Sequence, residues 1–166
     1  LNLFKKIKQL AAHGRANKKN KSTFWIEKVG YKYAMSNIQA AIGCAQVERV
    51  DELIAGKRRV FSYYQKELKG LPVSMNVEPS HTKNGYWMPT VVVDEGIEFS
   101  REELLSDFKL EGIDGRVFFW PLSMLPMFEG MPENRVSYGL FSRAINLPTY
   151  HDLEDEEMDR VINVLV

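Results

Sequence analysis

"GYKYAMSNIQAAIG", Gly30 to Gly43, decides how this chain is read. Ser36 followed three residues later by Gln39 is a capping-box pattern, in which each side chain takes up the other residue's backbone N–H. A helix is therefore predicted to start at Asn37, with Met35 and Ala40 placed as a hydrophobic staple. Ile38, Ala41, Ile42 and Ala45 fall at helical spacing and form its predicted buried stripe. Ala40, Ala41, Gly43 and Ala45 are small enough to let a second backbone approach closely. Two tyrosines and a lysine, Tyr31-Lys32-Tyr33, lead into this helix. A lysine beside the N–H groups of a helix start can hold a phosphate, and a solvated lysine between two packing tyrosines gives the same pattern.

Working outward, the helical pattern runs on through Leu53, Ile54, Phe61, Tyr64 and Leu68 to the stop signal Gly70-Leu71-Pro72. Roughly thirty residues is long for a globular helix, and Gly56 is the expected bend or break. Upstream, Phe4, Ile7, Leu10 and Ala11 predict a helix ended by Gly14. The polar, basic stretch "RANKKNKSTF", Arg15 to Phe24, reads either as a solvated loop or as one that closes over an anionic ligand. Helical patterning already present at Leu1, and still present at Val166, predicts a piece of a longer chain.

After Pro72 the pattern becomes mixed. "VSMNV" and "YWMPTVVVD" read as strands, the second irregular at Pro89. Ser100 with Glu103 opens a helix through Leu104, Leu105 and Phe108 that stops at Gly112. "GRVFFW" reads as a third strand, followed by a loop rich in Met, Pro and Phe and a short helix from Tyr138 to Ala144. Asp152 is the predicted cap of a last helix that carries Leu153, Met158, Val161, Ile162 and Leu165 on one face. The class expected is α/β, with an α+β small domain whose small antiparallel sheet is covered by helices. Residues 1–70 would be the end of a large domain, with an active-site loop and a long interdomain helix, and 71–166 the small domain.

Composition narrows the function. Twenty-two basic and 22 acidic residues balance, which argues against a nucleic-acid binder. No apolar run reaches the ~20 residues of a membrane span, so a cytoplasmic address is expected. Cys44 is the only cysteine and falls inside the capped helix, where it reads as a small core residue. His13, His81 and His151 are scattered, so no metal site is predicted. There is no GxSxG, GxGxxG or phosphate-binding glycine loop. Phe118, Phe119 and Trp120 are consecutive, and strand alternation buries only every second ring on one face. At least one therefore meets a ligand or a partner subunit, unless the strand is buried on both faces.

Taken in order, "HGR" at His13 to Arg15, "GYKYAMSNIQAAIGCAQVERVDELI", "KRRVFSYY" and "INLPTYHDLEDEEMDRV" resemble the C-terminal half of the DegT/StrS sugar-nucleotide aminotransferases. These are fold-type-I enzymes that use pyridoxal 5'-phosphate. "YWMPTVVVD" and "DGRVFFWPLSMLPMF" are most similar to the branch that makes GDP-perosamine for polysaccharide biosynthesis, aminating C4 of GDP-4-keto-6-deoxymannose with glutamate. The resemblance implies a homodimer with shared active sites. Tyr31 and Lys32 would lie near the cofactor phosphate of the neighbouring subunit, and Phe119 or Trp120 near the nucleotide-sugar substrate. The commoner family pattern has Asn where Lys32 stands and Arg where Ala34 stands, so an arginine's hydrogen bonds are missing here. The Schiff-base lysine would lie upstream of Leu1. No catalytic residue is then expected in this chain, and it would be inactive alone. Two other readings stay open: a sugar dehydratase of the same fold, and a truncated fragment that only dimerises.

Overall fold

The computed structural model describes residues 2–14, 26 and 28–166. The basic stretch from Arg15 to Phe24 lies outside the described residues. The chain forms two compact units, 1–50 and 51–166.

In the first unit, α1 (Asn2–Ala11) is followed by two left-handed residues, His13 at φ 62° and Gly14 at φ 69°. The chain then comes back against the helix end. A Cβ on Gly14 would lie 1.7 Å from the Lys28 carbonyl oxygen, and one on Gly30 would lie 2.2 Å from the Gly14 nitrogen. Only a pair of glycines permits this approach. Carbonyls at a helix C-terminus lack intrahelical partners. Here Leu10 accepts from the Tyr31 N–H at 2.7 Å, and Ala11 accepts from those of Tyr33 and Ala34, each at 3.1 Å.

The next helix, α2 (Asn37–Glu48), begins with the predicted capping box: Gln39 N–H donates to Ser36 Oγ at 3.3 Å and Ser36 N–H to Gln39 Oε1 at 2.9 Å. Its expected buried stripe is not buried. Ile38 is 70% exposed and Ile42 61%, and Ala41, Ala45 and Cys44 are exposed as well. An apolar stripe is covered only where another layer faces it, and the described residues of the 1–50 unit place none over this one. The helical run breaks at Arg49 (φ −118°, ψ 18°) rather than at the expected Gly56, and α3 (Val50–Glu67) follows. Gly56 serves a different purpose, since a Cβ there would sit 2.4 Å from the His151 carbonyl oxygen.

The second unit is a four-stranded antiparallel sheet with helices against it. Its strands are β1 (Val73–Met75), β2 (Thr90–Val93), β3 (Arg116–Val117) and β4 (Ala144–Asn146), in the order β1-β2-β4-β3. Val91 and Ile145 are cross-strand partners and share the core with Val60, Tyr64 and Leu68 of α3. Phe108 of α4 (Arg101–Leu110) and Met158 and Val161 of α6 (Asp155–Leu165) complete it. Two buried polar groups are paired across the sheet: Thr90 Oγ1 donates to Asn146 Oδ1 at 2.8 Å, and Asn146 Nδ2 to the Val117 carbonyl at 3.1 Å.

Several boundaries differ from the sequence reading. The "YWMPTVVVD" strand covers only Thr90–Val93, and "GRVFFW" pairs only over Arg116–Val117, because its partner β4 is three residues long. β4 itself, central to the sheet, follows α5 (Arg135–Arg143) with no intervening turn. Three residues are too few for a period to register. The cap of α6 is Glu154, not Asp152. Glu157 stands three residues after Glu154 and its Oε2 accepts the Glu154 N–H at 3.0 Å, whereas Asp152 precedes the buried Leu153. Ser100 accepts the Glu103 N–H at 3.2 Å, as expected for the start of α4.

Gly56→Ala is expected to destabilise the chain by about 1–3 kcal/mol, because backbone atoms on the far side cannot yield. Gly139→Ala in α5, where a Cβ meets nothing within 4 Å, should stabilise by about 0.5–1 kcal/mol through helix propensity. Urea denaturation of the two variants would measure the opposite signs.

Candidate functional site

Tyr31 and Lys32 stand on the segment pinned to the end of α1, just before the α2 cap. Lys32 bridges Ala12 across an antiparallel backbone pair, and the Tyr31 and Tyr33 rings stack at 5.5 Å. With Tyr33, Ala34, Met35 and Gln39, Lys32 borders an open hollow of about 380 Å³. Four amides of the expected cradle are already engaged. The N–H groups of Ser36, Ile38, Gln39 and Ala40 donate to Gln39 Oε1, Asn37 Oδ1, Ser36 Oγ and the Ser36 carbonyl. What this corner offers an anion is the Lys32 charge, which meets no carboxylate among the described residues.

In the second unit the two candidate aromatic residues part company. The Trp120 ring lies against Phe141, centroids 4.0 Å apart, and the Arg101 guanidinium covers Phe141 at 4.5 Å while donating to its carbonyl at 3.0 Å. Phe119 instead faces Trp87, at 6.4 Å and 27° between planes. Trp87 is 67% exposed and Phe119 60%. This pairing was missed because "YWM" read as strand, which predicts alternation rather than a turn.

The turn before Trp87 is strongly held. Tyr86 adopts φ 45°, a genuine outlier for a bulky residue and one that costs on the order of 1–3 kcal/mol. Its ring is buried and lies parallel to Phe61, centroids 3.6 Å apart, with the Arg58 guanidinium 5.2 Å from its centre. Arg58 grips Glu78 with two nitrogens, at 2.6 and 2.8 Å, and donates to the Asn84 carbonyl at 2.5 Å. Glu78 also accepts the Asn84 N–H at 2.6 Å. The guanidinium contact, then this amide, pull the Glu78 carboxyl down to about 2.

A cavity of about 490 Å³ opens beside this turn, bordered by Trp87, Asp114, Arg116, Asn146, Thr149, Tyr150 and Arg160 among others. Its β4-side wall is tied to α3. Lys57 Nζ donates to the Thr149 carbonyl at 2.6 Å, Tyr64 Oη to that of Pro148 at 3.1 Å, and Arg59 to that of Leu153. Partial burial lowers the Lys57 ammonium below its ordinary value. Tyr150 is pushed up to about 12, chiefly by its hydrogen bond to Glu157, so it is a neutral donor near pH 7. Tyr63 likewise reaches about 12 through Asp159. Among the described residues, no three His, Cys, Asp or Glu side chains converge on a metal position, and no helix is long and apolar enough to cross a membrane.

The family model for DegT/DnrJ/EryC1/StrS aminotransferases matches residues 2–166, and the chain belongs to that family, whose cofactor is pyridoxal phosphate. It is 36% identical over 145 residues to a GDP-perosamine synthase of Vibrio cholerae, covering 86% of this chain and 40% of that protein. A GDP-perosamine synthase of Caulobacter vibrioides is 34% identical over 148 residues, covering 86% and 39%. Helicobacter pylori PseC, an aminotransferase involved in pseudoaminic acid biosynthesis, superposes with a TM-score of 0.80 at 18% identity, covering 99% of this chain and 44% of that one. The chain thus spans well under half the length of the relatives it matches, and the α/β fold is that of fold-type-I sugar aminotransferases.

The Glu78–Arg58 pair has a pH signature. A carboxylate whose folded pKa lies below its ordinary value adds stability that is complete above that ordinary value, near 4.5, and lost as pH falls towards about 2. The melting-temperature gap between the unmodified chain and Glu78→Gln should be widest above pH 5 and should close on acidification, with pH 5 as an approximate threshold. A gap constant from neutral pH to pH 2 would contradict the pairing.

Proposed function

We propose that this chain is the C-terminal part of a pyridoxal phosphate-dependent aminotransferase acting on a nucleotide-linked 4-keto-6-deoxy sugar. The favoured substrate is GDP-4-keto-6-deoxymannose, with glutamate as amino donor and GDP-perosamine as product. The observation that carries this reading is 36% identity to a GDP-perosamine synthase across 86% of the chain. The enzyme would be a cytoplasmic homodimer with shared sites, its exposed α2 face lying in the subunit interface. Residues 1–70 would close the large domain and 71–166 form the small one.

When bound, the cofactor supplies an electron sink that makes the substrate's C–H bond acidic. The Schiff-base lysine lies, in this reading, outside the chain, which therefore holds no catalytic residue and is inactive alone. Lys32 and Tyr31 contribute to the phosphate of the cofactor held by the other subunit. They fit that role in part: charge and a phenol are present, while the helix-start amides are already engaged. Phe119 supplies an exposed ring to the substrate wall. Trp120 supports that wall from behind, through Phe141.

The test is spectroscopic, on the full-length protein that contains this chain. Its pyridoxal absorbance should shift on adding glutamate and return on adding GDP-4-keto-6-deoxymannose, with GDP-perosamine found by mass spectrometry. A spectrum indifferent to glutamate would overturn the reading. Lys32→Ala should weaken cofactor retention on dialysis by about tenfold, as expected for losing one charged contact.

A further inference from the structure

We propose that Trp87 and Phe119 form the platform on which the nucleobase of the sugar nucleotide stacks, with its diphosphate directed into the adjoining cavity towards Arg116 and Arg160. The proposal rests on the aminotransferase reading for its substrate class, and on the following geometry for its location. Two large rings from distant segments stand nearly parallel, 6.4 Å apart, and both remain mostly exposed. Exposed aromatic faces of this kind stack bases without regard to sequence or identity, because every base has a π-face.

The indole is also presented rather than merely left outside. Tyr86 turns inward in a left-handed conformation against Phe61, and Arg58 locks the turn to α3 through Glu78 and Asn84, so that the next residue must point outward. Ordering an exposed tryptophan in advance removes an entropic cost from ligand binding. Strained backbone beside an exposed functional ring is where such strain is commonly found.

The neighbouring cavity suits the rest of the molecule. At about 490 Å³ it lies within the ~300–1,000 Å³ range of small-molecule sites. Trp87, Arg116 and Arg160 border it, as do the carboxylates of Asp114 and Glu157, which are engaged by Arg116 and Tyr150. Arg116 is exposed and holds Asp114 Oδ2 from Nε at 3.1 Å and from an Nη at 2.7 Å, while Arg160 donates to the Glu111 carbonyl at 2.5 Å. A solvent-facing pair such as Arg116–Asp114 contributes little by itself and yields readily to a phosphate. Trp120, 51% exposed, has one side against Phe141 and is not paired with Trp87, so it is not counted in the platform.

The experiment compares the full-length enzyme with its Trp87→Leu and Trp87→Phe variants. Binding of GDP and of pyrophosphate is measured by calorimetry, alongside KM for sugar nucleotide and for glutamate. Trp87→Leu should weaken GDP binding and raise the sugar-nucleotide KM about tenfold, in line with the loss of one stacked base. Trp87→Phe should recover most of both. Pyrophosphate binding, the glutamate KM and the glutamate-induced absorbance shift should not change. GDP affinity unaltered in Trp87→Leu would overturn the platform while leaving the aminotransferase reading intact. An enzyme whose absorbance ignores glutamate but whose GDP affinity still falls in Trp87→Leu would overturn the reaction and retain the platform. Equal losses of GDP and pyrophosphate binding would also overturn it, since they would place Trp87 at the phosphates.

Discussion

The second unit depends on the contact between α3 and the segment that joins β4 to α6. At Gly56 the two backbones come so close that no side chain fits between them, and on either side α3 reaches over to hold carbonyls that would otherwise be stranded. Buried carbonyls without partners are costly. Lys57 and Tyr64, seven residues apart on one face of α3, take the Thr149 and Pro148 carbonyls, and Arg59 reaches that of Leu153. The sheet, the cavity wall and the start of α6 all take their places from this seam. The Thr149 hydroxyl beside this seam is buried and has no hydrogen-bond partner among the described residues.

Much of this was legible in the chain itself. Ser36–Gln39 and Ser100 specify helix starts through local chemistry, and Gly14 and Gly112 mark stops by their left-handed backbone, so these features do not need the tertiary fold. What escaped is long-range. β4 is three residues long and is a strand only because β2 and β3 flank it. The role of Gly56 as a close-approach residue is invisible without His151 beside it. Trp87 and Phe119 are 32 positions apart, and nothing in either neighbourhood announces that they meet. The sequence predicts a buried stripe on α2 and the structure leaves it exposed, since apolarity shows that a face wants cover, not that the same chain provides it.

Family membership sharpens the contrast between the two units. The second closes its own core around Tyr64, Phe108, Ile145 and Met158. The first buries no residue of α1 or α2 and invests instead in backbone precision, with two facing glycines and three amides docked on the end of α1. Such an arrangement fixes where Tyr31 and Lys32 stand without fixing what lies over them.

Because most donors of the opening turn of α2 are taken by its own residues, the lysine before it offers chiefly a point charge. A lone exposed charge is felt by its surroundings through the ionic atmosphere, which at physiological salt damps it over about 8 Å. In the proposed role, an anion held there by that charge alone would be held less firmly as electrolyte rises, while the shape of the corner rests on glycine contacts and backbone amide bonds. On that reading the scaffold would tolerate salt while the hold would be tuned by it.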